Sequence, residues 1–409
     1  MSQVLDPAGE AVPTGKTYTL ASWLPTLRVS GRPRPHAKLS EDAITVALAT
    51  YTLVALLWDG LRHNGLTGVD NFFSPPHIAM YLGLIAVGVW IAIVLLRYQK
   101  GLDDLDWSAV PRGYGLAFIA LPLAALAGPA DFIWHEAYGF ENQIDSTYSP
   151  PHQGLFYAGA LLATIAAASA WQQRDMVKPT LRQFLPTAFS ITSLIAVMLF
   201  VVHQILPFYG GGIAASGDFQ DDLAGRADAF SPGADAVHTE GLAKALTHYG
   251  DAAWPYYFFS THASTAGIML FTIVLMGAIL AMRRRFLIPA GTLTITLSFM
   301  ALLWPMLTEY READLIPVLV LTGVIGDPLL LRLGGSGTPV GRIRLFAALL
   351  PLAMWSLFFI CIALFGDGGL GWEATLWFGL LVTTSGIGFA VSLLVFPPYS
   401  GPVTEREAA

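Results

Sequence analysis

Two stretches of this chain carry the same set of chemically capable side chains in the same order. The first runs Trp58-Asp59-Gly60-Leu61-Arg62-His63, then Gly68-Val69-Asp70, then Ser74-Pro75-Pro76-His77 and Tyr81. The second runs Asp131-Phe132-Ile133-Trp134-His135-Glu136, then Gly139-Phe140-Glu141, then Ser149-Pro150-Pro151-His152 and Tyr157. Each copy offers one carboxylate and two imidazoles. Residues four apart on a helix share a face one turn apart, so Asp59 and His63 can address one ion, as can Asp131 and His135. Proline is tolerated in the first turn of a helix and not in its interior. The paired prolines therefore place His77 and His152 at the top of a returning helix, level with the end of the preceding one. Each hairpin closes a three-ligand N,N,O set for a metal.

Plainer readings exist for each piece alone. An Asp-x-x-x-His at a helix end is ordinarily a cap or an interface polar pair, and Ser-Pro-Pro-His is ordinarily a helix start with Ser as its cap. The duplication favours a metal site, with a hydrogen-bonded hairpin turn as the structural alternative. Two His and one carboxylate suit non-haem iron, while imidazole equally suits copper and zinc. The ligand types leave all three open. His203 and His262 are further ligand candidates, since they fall at the outer ends of helices. Glu136 and Glu141 are candidates to accept the spare ring N–H of a ligand histidine, an arrangement that orients metal-bound imidazoles. Tyr81 and Tyr157 read as aromatic packing, and Asp327-Pro328 as a helix-breaking kink.

The elements that must position these residues are hydrophobic helices. Of 409 residues, 54% are hydrophobic and only 12% charged, which marks a polytopic membrane protein. A bilayer core of ~30 Å takes roughly 20 apolar residues. About ten stretches qualify, near 43–59, 77–97, 113–134, 152–171, 184–207, 254–281, 286–306, 314–333, 344–366 and 374–396. All are expected to be helices, because an open strand in lipid leaves backbone groups unpaired. The expected fold is an all-α polytopic membrane protein with an internal repeat of two helical hairpins in its N-terminal half. The expected divisions are a polar N-terminal segment 1–42, a repeated half 43–171, a six-helix half 172–396 with a long loop at 208–253, and a tail 397–409.

Lys and Arg concentrate on the cytoplasmic side of membrane proteins. Placing both termini in the cytoplasm leaves only Arg62, Arg226, Lys244 and Arg311, of 22 Lys and Arg, outside. Both triads then face the extracytoplasmic side. Residues 1–42 lack an apolar run beside their basic residues and do not read as a cleaved signal peptide. The single cysteine, Cys361, excludes an intrachain disulfide and a Cys-based metal site. With a net charge of −7 and no basic stripe, nothing points to nucleic acid.

The spacing Asp59-His63-His77, and again Asp131-His135-His152, resembles that of the C subunit of membrane-bound copper monooxygenases, the particulate methane and ammonia monooxygenase family. That subunit carries in its membrane helices an acid or amide, a His four later and a second His about a dozen later. The resemblance covers about 20 residues per copy. It implies that these six residues are copper ligands near a site of oxygen activation. It extends neither to the Ser-Pro-Pro-His element nor to the last six spans, and no cupredoxin-like domain accompanies it. The expected function is a copper-dependent membrane oxidoreductase of monooxygenase type, acting on an apolar or lipid-soluble substrate, with further membrane subunits as possible partners. Copper transport or handling, and a non-catalytic scaffold, are the alternatives.

Overall fold

A computed structural model describes residues 16–18, 26–64, 71–101, 104–140, 144–173, 175–208, 253–308, 310, 313–366 and 368–398. Among them, nine helices are long and apolar enough to cross a membrane. The chain is an all-α, multi-pass membrane-type protein. Leu82, Ile85, Val89, Ile119, Leu126, Val382 and Leu394 are exposed on its flanks. Such a continuous apolar exterior is a liability in water and the expected surface against lipid.

The repeated half consists of α1 (Leu39–Asn64), α2 (Pro75–Arg97), α3 (Ala117–Tyr138), a short α4 (Ile144–Tyr148) and α5 (Pro150–Trp171). Helix α1 packs on α2 and on α5, α3 packs on α5, and α2 meets α3 more sparsely, so the four long helices form a ring. Ala55, Met80, Ala127 and Leu155 come together as a small buried cluster in this ring. Ala55 and Ala127 each lie four residues before the aspartate of their copy, and Met80 and Leu155 each three after its second histidine. Equivalent positions of the two repeats thus meet, as parallel repeats about a common axis require.

The second half comprises α6 (Leu181–Phe200), α7 (Ala253–Arg285), α8 (Thr292–Leu303), α9 (Ile316–Leu333), α10 (Val340–Phe365) and α11 (Ala374–Val395). Helix α6 joins the halves by packing on α1, α5 and α8. The stretch expected at 286–306 is the shortest: α8 continues as a 3-10 helix over Trp304–Thr308. At ~1.5 Å per α-helical and ~2.0 Å per 3-10 residue, the whole is about 28 Å long, close to a bilayer core.

Asp327 does not break α9, which runs on through Pro328 to Leu333. Its carboxylate accepts the N–H groups of Leu293 and Thr294 at 3.1 and 3.0 Å and the Thr294 hydroxyl at 2.6 Å. It caps the start of α8, whose own cap residue is Gly291. At the same end of the bundle Arg283, Arg284 and Arg285 donate to the backbone carbonyls of Gly334, Val395 and Trp171, beside the C-termini of α9, α11 and α5. Cations there complement the helix dipoles and satisfy orphan carbonyls. The N-terminal segment, expected only as polar, contributes two strands, β1 (Lys16–Tyr18) and β2 (Thr26–Val29). They pair antiparallel with each other, and β2 pairs parallel with β3 (Asp104–Asp106) from the α2–α3 connection.

Candidate metal centre

Each ligand candidate owes its place to local chemistry. Asp59 and His63 end α1, Asp131 and His135 end α3, and each pair is one turn apart. Helices α2 and α5 begin at Pro75 and Pro150, with Ser74 and Ser149 in extended conformation before them. Neither serine makes the expected side-chain cap. A capping oxygen bonds the N–H of the second or third helical residue, and here the second is proline. The Ser74 hydroxyl lies instead 3.1 Å from His77 Nδ1. Sequence position therefore sets His77 and His152 beside the acid of the preceding helix, with Nε2 to Oδ1 distances of 3.5 Å for His77–Asp59 and 3.0 Å for His152–Asp131. Within the helices, His63 Nε2 lies 3.7 Å from Asp59 Oδ2 and His135 Nε2 lies 3.5 Å from Asp131 Oδ1.

The two triads form one cluster. Ring centroids lie 5.5 Å apart for His63–His77, 5.7 Å for His63–His152, 5.7 Å for His77–His135 and 5.4 Å for His135–His152. Ligand atoms of His63, His77 and His135 lie within 4.8 Å of one another, and so do those of Asp131, His135 and His152. His135 belongs to both groups, and the first draws ligands from both repeats. All six residues are buried, Asp131 and His77 completely. Phe72 and Phe140 close over them: Phe72 stacks on His77 at 5.4 Å and Phe140 on His135 at 4.3 Å.

The hydrogen bonds fix which ring nitrogen faces inward. His135 Nδ1 lies 3.3 Å from the Gly139 carbonyl, and His152 Nδ1 contacts the Ser146 carbonyl of α4. A carbonyl only accepts, so each Nδ1 carries a hydrogen and Nε2 is the ring nitrogen that faces the cluster. His152 Nε2 and Asp131 Oδ1 face each other at 3.0 Å without an aligned hydrogen bond. A ring nitrogen and a carboxylate oxygen at that distance share a proton or a cation between or beside them. Asp59 Oδ1 and His77 Nε2 are likewise buried without a hydrogen-bond partner. Removing one partner of a buried ion pair costs ~3–5 kcal/mol, because the other is left uncompensated. Two carboxylates can balance a cation, and the imidazoles add nitrogen donors beside them. The donor set fits a metal ion held by imidazole Nε2 atoms and carboxylate oxygens.

Tyr81, read from the sequence as packing, donates its hydroxyl to Asp131 Oδ2 at 2.6 Å. It crosses from α2 to α3, past Gly128, where a Cβ would lie 3.2 Å from the tyrosine ring. Tyr157 is exposed, so the copies differ at this point. The N–H partners are backbone carbonyls rather than Glu136, which is exposed. Glu141 lies outside the described residues. His203 is buried beside the cluster, lining a pocket with Asp59, His63 and His152. Its Nδ1 donates to the Phe200 carbonyl at 2.7 Å. His262, on α7, is exposed and is in neither ligand group.

No family model matches the chain, and neither the curated proteins nor the solved structures give a match.

Proposed function

We propose that this is a membrane metalloprotein whose two repeats share one copper centre, and that it acts as an oxidoreductase on dioxygen and an apolar or lipid-soluble substrate. The observation that carries the reading is the convergence of four buried imidazoles and two buried carboxylates, with Nε2 of His135 and His152 turned inward by carbonyl partners on Nδ1. Imidazole-rich sets suit copper, and iron and zinc are the alternatives. The repeated Asp-x-x-x-His and later His, with their resemblance to the copper monooxygenase C subunit, favour copper.

Copper held here supplies one-electron chemistry and an affinity for dioxygen. The chain's own residues hold and orient it. Asp59 and Asp131 neutralise charge, the Gly139 and Ser146 carbonyls fix two tautomers, and Tyr81 holds Asp131 in one orientation. Phe72 and Phe140 exclude bulk water, which strengthens electrostatic interactions inside. The distribution of Lys and Arg supports an extracytoplasmic position for the cluster, since the arginines that cap helix C-termini gather at the other end.

A transport role is the second reading, because a buried His/Asp cluster in a helical bundle can also pass an ion. The ligands, however, lie at one depth, and the ten methionines are scattered along the sequence. Copper-loaded protein in proteoliposomes separates the two. Oxygen uptake that depends on an added lipid-soluble reductant supports the oxidoreductase, whereas copper crossing the vesicle membrane without oxygen uptake establishes transport.

A further inference from the structure

We propose that a dry cavity directly beneath the cluster takes up a small uncharged apolar molecule, of the kind of dioxygen, and delivers it to the cluster from within the membrane. The delivery rests on the copper reading above, and the uptake does not. The cavity lies between α1, α2, α5 and α6, walled by residues such as Leu53, Val87, Leu162 and Val197. These four are buried or partly buried in the protein. Only Thr52 and Ser193 bring hydroxyls to its wall. Thr52 Oγ1 donates to the Leu48 carbonyl at 3.0 Å, and Ser193 Oγ pairs with Thr50 Oγ1 at 3.3 Å. A buried water needs two to four polar partners, and cavities lined by satisfied or apolar groups stay dry and accept apolar guests such as xenon.

Two further features connect the cavity to the cluster. Leu56, Met80, Leu155 and Phe156 line both this cavity and the polar pocket that holds Asp59, His63, His152 and His203. The partition is one layer of side chains thick, and methionine is an adaptable filler. Glycine in a membrane helix usually marks a close helix contact. Gly154 does so, since a Cβ there would lie 2.9 Å from Ala127 Cβ. Gly159, on the same helix and in the cavity wall, has nothing within 4 Å of a Cβ. Its lack of a side chain leaves space rather than admitting a neighbour. An apolar gas dissolves better in hydrocarbon than in water, so a cavity at this depth collects it where it is most concentrated. The phenylalanines over the cluster meanwhile close the aqueous route.

The test is xenon pressurisation of crystals of the full-length protein, with anomalous scattering as the readout. Wild type is expected to show a xenon peak between α1, α2, α5 and α6, lost in Gly159→Leu and weakened in the milder Gly159→Ala. In copper-loaded protein, reduced and then exposed to dioxygen, Gly159→Leu should oxidise more slowly at unchanged metal content. Absence of the xenon peak in wild type, or its persistence in Gly159→Leu, overturns the cavity. Loss of xenon with an unchanged oxidation rate overturns delivery. If no copper binds, the xenon arm still decides the cavity while the copper reading fails separately.

Discussion

At the scale of the residue, the site depends on which ring nitrogen of each imidazole faces the cluster. His135 is common to both groups of ligand atoms, so His135→Ala is expected to remove more bound metal than His77→Ala. Metal content after chelator washing checks this, and equal losses from the two variants speak against a shared centre. Tyr81→Phe removes the 2.6 Å hydrogen bond to Asp131 while keeping the ring. Loss of a contact of this kind typically costs ~10–100-fold in metal affinity. Competition titration against a chelator should show that weakening, with Tyr157→Phe unchanged because Tyr157 is exposed. All six acids and histidines of the cluster were legible in the sequence because helical spacing and paired prolines fix them locally. Tyr81 was not. Its partner lies 50 residues away, and nothing in a phenol four residues after a histidine announces an aspartate on another helix.

At the scale of the element, small residues set how closely the helices approach. Gly154 lets α5 meet α3 beside the cluster, and Gly388 brings α11 against the Ala347 carbonyl of α10. Overpacking typically costs ~1–3 kcal/mol. Gly154→Leu should therefore lower the thermal unfolding midpoint and displace His152 enough to reduce metal binding. Gly388→Leu, in the other half, should lower the midpoint and leave metal binding intact. Thermal scans in detergent paired with metal analysis distinguish these outcomes, and metal loss in both variants would mean that the halves are not independent. Hydropathy made the long helices legible, since each must satisfy its backbone within apolar surroundings. The role of Asp327 was illegible: Asp-Pro reads locally as a break, and its work is to cap a helix 33 to 34 residues earlier in the chain. The β1–β2–β3 sheet escaped notice because its strands have only three or four residues and one pairing joins segments far apart in sequence.

At the scale of the whole molecule, two parallel hairpins place like positions together, and a single cluster follows from that symmetry. Parallel repeats were readable from the duplicated motif and the even number of spans between its copies. The distances between the triads were not, since the packing of α1 on α5 is a tertiary fact. On the sidedness proposed from the Lys and Arg distribution, Tyr138→Cys, placed near the cluster on a Cys361→Ser background, should react with an impermeant thiol reagent from the extracytoplasmic side. Labelling from the cytoplasm alone would invert the topology.

The central claim is that the six residues make one metal centre drawn from both repeats. Its most direct test is the metal content and copper EPR spectrum of the purified wild-type, Asp59→Ala, His135→Ala and His152→Ala proteins in lipid. Helix content, followed by circular dichroism, serves as the control for folding. The account predicts bound metal with nitrogen hyperfine structure in wild type, and loss of that signal on substitution in either repeat while the helices remain. Equal metal content in all four proteins, or none in any, would contradict it and leave the cluster as a hydrogen-bonded staple between hairpins.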